Sequence, residues 1–165
     1  YVEKNVQRLI EEALKDTNIS VKNEQGGQDL ILSKDGFEPY HIEIKSRWIN
    51  KEQAIMSALQ FQTAVEHPMR YSLISAQMWN FDKKRVENEE CLKIEEMEQL
   101  LKVCDDIGLL EADLKQRVDA AFEGGEEDIR INGSYDVRVP QRVFKLSFNE
   151  LITLIKEKFY DSKAV

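Results

Sequence analysis

At 165 residues, with 42% hydrophobic and 33% charged side chains, the chain has the balance of one globular domain and can bury a core without disulfides. No apolar run is long enough to cross a bilayer and the N-terminus lacks a basic-then-apolar signal layout, which excludes a membrane role and points to a cytoplasmic location. The net charge of −8 argues against a ready nucleic-acid binder, because affinity follows neutralised phosphates; clustered carboxylates that hold a divalent ion reverse that sign locally.

In chain order, residues 2–15 form the first predicted helix, with Val2, Val6, Leu9, Ile10, Ala13 and Leu14 on one face. Ile19–Lys22 reads as a short strand and Asn23–Gly27 as a turn. Asp29–Ser33 and Pro39–Arg47 are strands joined by Lys34-Asp35-Gly36, since Asp-Gly suits a hairpin turn. One helix over 51–66 would fit the next stretch. Ser57-x-x-Gln60 is a capping box, however, and favours a short strand near Gln53–Met56 followed by a helix to His67.

Tyr71–Met78 reads as a strand and Asn80–Glu90 as a loop. Ile94–Cys104 and Leu110–Phe122 read as two amphipathic helices around Gly108, a helical hairpin inserted at about 92–123. Cys104 sits among apolar residues as a reduced core thiol, and with Cys91 makes no disulfide framework. The acidic loop Glu123–Asp128 lacks calcium-ligand spacing. Tyr135–Val139 alternates like a strand, and Ser147-x-x-Glu150 opens a last helix through Phe159. The expected fold is α/β, a mixed central sheet flanked by helices. It forms a single domain over 1–165, with a core of 1–78 plus 130–160.

The chemistry concentrates on the strand Pro39–Arg47. Alternation puts His41, Glu43, Lys45 and Arg47 on one face, with Glu43 and Lys45 roughly 6–7 Å apart. The hairpin can bring Asp29 beside Glu43. Two carboxylates suit Mg²⁺ or Mn²⁺, which lowers the pKa of a bound water and neutralises phosphoryl charge. A nearby lysine serves as base or electrostatic helper. Asp29 and Glu43 are therefore the candidate metal ligands, with Lys45 as their catalytic partner. The opposing reading is a solvated Glu-x-Lys pair on an exposed strand.

Glu3 is a candidate fourth member. At about 100° per residue it flanks the apolar face of the first helix, whereas Glu11 and Glu12 fall well outside it. A first-turn glutamate complementing the helix dipole explains it equally well. His41 touches substrate or is incidental, and His67 suits a helix end. Arg47 meets a phosphate or is solvated. Gln62 is a buried hydrogen-bonder or a site residue. Trp48 and Trp79 stack on bases or pack at the core and rim.

At these residues the chain resembles the PD-(D/E)xK nuclease superfamily, which has the restriction-endonuclease-like fold. More narrowly it resembles the domain named after the plant protein NO VEIN. The matching text is Gly27-Gln28-Asp29-Leu30, His41-Ile42-Glu43-Ile44-Lys45-Ser46-Arg47, Ser57-x-x-Gln60-Phe61 with Ala64, and Arg70-Tyr71-Ser72-Leu73. The resemblance covers roughly residues 1–78. It implies a Mg²⁺-dependent nuclease acting on DNA rather than RNA, with Asp29, Glu43 and Lys45 as the core and Glu3 at the helix glutamate. It also implies a terminal domain of a longer protein, in some cases serving bacterial defence. A start at Tyr1 instead of Met fits that expectation. The chain departs from the family where Gln60 replaces an acidic residue and Phe61 a tryptophan, and the helical hairpin is not part of the family's pattern. A catalytically silent nuclease-like module for nucleic-acid or protein interaction is the alternative.

Overall fold

The computed structural model describes residues 1–24, 29–110 and 136–160, with Asp29 described by its backbone alone. The chain opens with helix α1 (Val2–Ala13), whose buried residues Val2, Val6, Leu9 and Ile10 recur at helical spacing. Strands β1 (Ser20–Asn23), β2 (Asp29–Ser33) and β3 (Tyr40–Arg47) follow as an antiparallel run. Gly36 sits in the β2–β3 turn with φ +85°, a conformation that favours glycine.

β4 (Ala54–Ser57) and α2 (Ala58–Glu66) then carry the chain over to β5 (Tyr71–Gln77), which lies parallel to β3. A parallel neighbour requires such a crossover. A short helix α3 (Lys83–Glu87) lies inside the expected loop 80–90, started by Asp82, whose side chain accepts from Lys84 N. Next come α4 (Ile94–Leu100), β6 (Leu101–Cys104), α5 (Ile107–Leu110), β7 (Asp136–Val139) and α6 (Phe148–Lys158). The main sheet is mixed, in the order β1-β2-β3-β5-β6, and β4 pairs with β7 in a second two-stranded sheet.

The expected α/β architecture with a mixed sheet and flanking helices is present. The expected helix Ile94–Cys104 is not: it stops at Leu100, and Leu101–Cys104 is a strand antiparallel to β5. Leu101 and Val103 are buried while Lys102 is exposed, and Cys104 is buried in the second cluster, so the segment pairs as a strand once β5 offers an open edge. Gly108 lies within α5, not in a turn between two long helices. The first arm of the proposed hairpin is thus corrected. Its second arm beyond Leu110, the loop Glu123–Asp128 and core residues 130–135 lie outside the described residues.

Two apolar clusters divide the molecule. One face of the sheet (Tyr40, Ile42 and Ile44 of β3, Ile74 of β5) packs against α1 and α6. The other cluster joins Tyr71 and Leu73 of β5 to Met56, Ala64, Ile107 and Val139. The alternation of β3 therefore sends its odd-numbered side chains away from α1.

The capping box of α6 is formed: Ser147 Oγ accepts from Glu150 N, and Glu150 Oε1 accepts from Ser147 N, both at 3.2 Å. Because α6 buries Phe148, Leu151 and Ile155, fraying at this end loosens the core. Ser147→Ala is expected to cost about 1 kcal/mol, measured by urea unfolding; an unchanged midpoint would show the cap to be idle.

Candidate active site

Glu43 is the centre of the site. It is fully buried, at 0% exposure, on the β3 face away from α1. Ionised carboxylates are almost never buried without partners, because desolvation is costly. Here one oxygen is satisfied: Oε1 lies 2.9 Å from Lys45 Nζ and accepts from Gln60 Nε2 at 2.7 Å. Oε2 is buried without a hydrogen-bond partner among the described residues. Lys45, two residues along the same face, is 17% exposed, so its ammonium stands between the buried carboxylate and solvent.

The β2–β3 register makes Asp29 the direct partner of Glu43. Opposed residues of an antiparallel pair have Cα atoms about 4.5–5.5 Å apart. The turn at Asp35-Gly36 and the hydrophobic alternation of both strands hold this register, since a one-residue slip would turn Ile42 and Ile44 out of the core.

On the other side of β3, Lys45 pairs in register with Ser75 of β5. The Ser75 hydroxyl is buried without a partner among the described residues. A serine inside an apolar strand carried no sequence signal beyond its polarity. The register supplies one, by setting Ser75 beside Lys45 on the neighbouring strand.

Gln60 is the residue whose second role the sequence did not reveal. Its side-chain Oε1 accepts from Ser57 N at 2.9 Å, closing the capping box of α2. The amide keeps two donors after giving its oxygen to a cap, and one of them reaches Glu43. The N-terminal turn of α2 is thereby tied to the buried carboxylate. That unused donor was the available signal.

The remaining candidates are placed less centrally. Glu3 lies in the first turn of α1, which packs against the opposite face of the sheet from Glu43. Its carboxylate is 3.6 Å from the Tyr1 amino group. His41 stacks on His67, the C-cap of α2, with ring centroids 5.1 Å apart, and on Tyr71 at 6.3 Å. Burial, and next the neighbouring His67, hold the His41 pKa below its ordinary value. Gln62 is exposed and donates to Glu66 at 3.1 Å, so it is not a buried hydrogen-bonder; its wheel position faces outward once α2 is packed. Arg47 is 3% exposed, which rules out a solvated arginine.

One observation bears on a divalent ion: Oε2 of Glu43 is buried with no hydrogen-bond donor among the described residues. A buried carboxylate oxygen without a donor is a ligand that a hard cation takes up. Among the described residues no group of three or more His, Cys, Asp or Glu side chains gathers to hold a metal; the carboxylate of Asp29 lies outside that description. No protein-family model matches the chain, and comparison with curated proteins and with solved structures yields no match either.

Proposed function

We propose that this domain is a metal-dependent phosphodiesterase of the nuclease type, acting on DNA as part of a larger protein. The observation that carries the reading is Glu43: wholly buried, held through one oxygen by Lys45 and Gln60, without a hydrogen-bond partner at the other among the described residues, and in register with Asp29. Asp29 and Glu43 would hold Mg²⁺ or Mn²⁺, which when bound activates water and offsets phosphoryl charge.

The chain's own residues do the rest. Gln60 fixes the Glu43 carboxylate in one orientation, so no reorganisation is needed when substrate arrives. Lys45 sets a positive charge where negative charge develops on the phosphoryl oxygens, and it can hold or release a proton at Nζ. Leu73 and Tyr71, buried beside β3, keep water from the inner side of the site and strengthen these interactions. By the same reading the domain has the restriction-endonuclease-like fold and belongs with the NO VEIN group. The order α1, Asp29 on β2, Glu43-Ile44-Lys45 on β3 supports this.

The net charge of −8 favours a second reading, a nuclease-like module that binds a partner without cutting. Plasmid and single-stranded DNA cleavage with Mg²⁺ or Mn²⁺ separates the two. The wild type is expected to nick, and Lys45→Ala and Asp29→Ala are not. Equal nicking by all three proteins would sink the catalytic reading.

A further inference from the structure

Arg47 ends β3 in a state that asks for a ligand. Its Nη1 donates to the Glu52 carbonyl at 2.7 Å, while Nε and Nη2 are buried and have no acceptor among the described residues. Nε–H and the adjacent Nη2–H point the same way. They form the side-on edge of the guanidinium, the edge that grips two oxygens of a phosphate or carboxylate. A buried cation with this edge unused is costly unless an acceptor arrives.

A cavity adjoins the Arg47 side chain. Arg47 lines a cavity of about 380 Å³ together with Lys51, Glu52, Gln77, Trp79 and Gln141. This volume falls within the range of small-molecule sites. Trp79 is half-buried, with the Arg47 guanidinium carbon 5.6 Å from its ring centroid. Lys51 has φ 67° in the turn that the Glu52 N–H closes by donating to the Ile49 carbonyl at 3.1 Å, which places its side chain at the cavity. Among the described residues Glu52 is the one acid in this wall. Its side chain is exposed, and what it gives Arg47 is a backbone carbonyl. Among the described lining residues Arg47 and Lys51 therefore outnumber Glu52, within an acidic chain.

We propose that this cavity binds a nucleotide through its phosphate, with the Nε/Nη2 edge of Arg47 on two phosphate oxygens and Trp79 as the wall for the base. Lys45 and Arg47 are alternate residues on one strand face, roughly 6–7 Å apart, a spacing comparable to that of successive phosphates along a single strand. The cavity would thus hold the nucleotide next to the one at Glu43. The nucleotide assignment rests on the nuclease reading. The phosphate assignment rests on the unmade donors of Arg47.

The test needs no cleavage. The chain has two tryptophans, so Trp48→Phe leaves Trp79 as the sole indole. In EDTA, this protein is titrated with thymidine 5′-monophosphate, a six-residue oligothymidylate, thymidine and inorganic phosphate, following Trp79 emission. A saturable change is expected with the monophosphate and the oligonucleotide, none with thymidine, and binding at least tenfold weaker with inorganic phosphate. Arg47→Lys, which loses the fork, should weaken the monophosphate at least tenfold. Gln141→Glu changes an exposed residue of the cavity wall and should weaken it about fivefold, deciding the matter if Arg47→Lys fails to fold.

No saturable change with any phosphate compound overturns the site, as does unchanged affinity in the folded variants. Inorganic phosphate binding as tightly as the monophosphate overturns the nucleotide assignment. A protein that binds the monophosphate and cuts nothing refutes the nuclease reading and leaves the cavity's phosphate site standing. Cleavage without such binding does the reverse.

Discussion

Lys45→Met is expected to lower the unfolding free energy by about 3 kcal/mol, and to reduce metal-dependent cleavage by about 10²–10³-fold. The two effects have separate causes. Glu43 is fully buried, and Lys45 supplies its opposite charge at 2.9 Å. Removing one partner of such a pair leaves an uncompensated charge in the interior, which costs about 3–5 kcal/mol. The lower end applies here, because Lys45 is 17% exposed and Gln60 still donates to Oε1. Against a typical total stability of about 5–15 kcal/mol, that loss is large.

The double variant Glu43→Gln with Lys45→Met removes both charges and should return to within about 1 kcal/mol of wild type, since an uncharged pair of similar volume is often neutral. Its cleavage should remain lost. Urea unfolding of the three proteins, with cleavage rates alongside, gives both readouts. A double variant as unstable as Lys45→Met would show that the buried charge was not the cause. A cleaving Lys45→Met protein would remove Lys45 from the chemistry.

Gly108→Ala is expected to cost about 3 kcal/mol, or about 6–12 °C in Tm for a chain of this size. A Cβ at this position would stand 2.0 Å from the Ala64 carbonyl oxygen, 2.7 Å from its carbon and 3.2 Å from Pro68 Cα. All three are backbone atoms, which no side-chain rotation can move aside. α5 would have to withdraw from α2, unpacking Ile107 from Ala64 and Tyr71. Because α2 also carries Gln60, the displacement should weaken the support of Glu43 as well. Thermal unfolding followed by circular dichroism measures the main effect. An unshifted melting curve would mean that α5 does not rest on α2 at this distance.

Sequence alone determined the local elements around the site. The alternation of Tyr40–Arg47 assigned Glu43 and Lys45 to one face, and the Asp-Gly turn joined β2 to β3 so that Asp29 falls opposite Glu43. The boxes at Ser57 and Ser147 marked the starts of α2 and α6. These are short-range properties. Strand period, turn conformation and cap hydrogen bonds are complete within a few residues, so they are legible without the rest of the chain.

Tertiary structure decided what depends on distant partners. Leu101–Cys104 is apolar enough for helix or strand, and the open edge of β5 selected strand. Gln60 shows a capping residue in the sequence, and only the crossover that lays α2 against β3 gives its spare donor to Glu43. Glu3 flanks the apolar face of α1, but which side of the sheet receives that face is a matter of global packing, and it is the side away from Glu43. Arg47 reads as a phosphate contact or a solvated cation, and only the fold, with Trp79 and Phe144 closing around it, removes the solvated reading. The trio Asp29, Glu43 and Lys45 was thus legible as a pattern. The burial of Glu43, with one oxygen held and the other without a partner among the described residues, came from contacts between residues far apart in the chain, and the sign of a group's burial cannot be read from its neighbours in sequence.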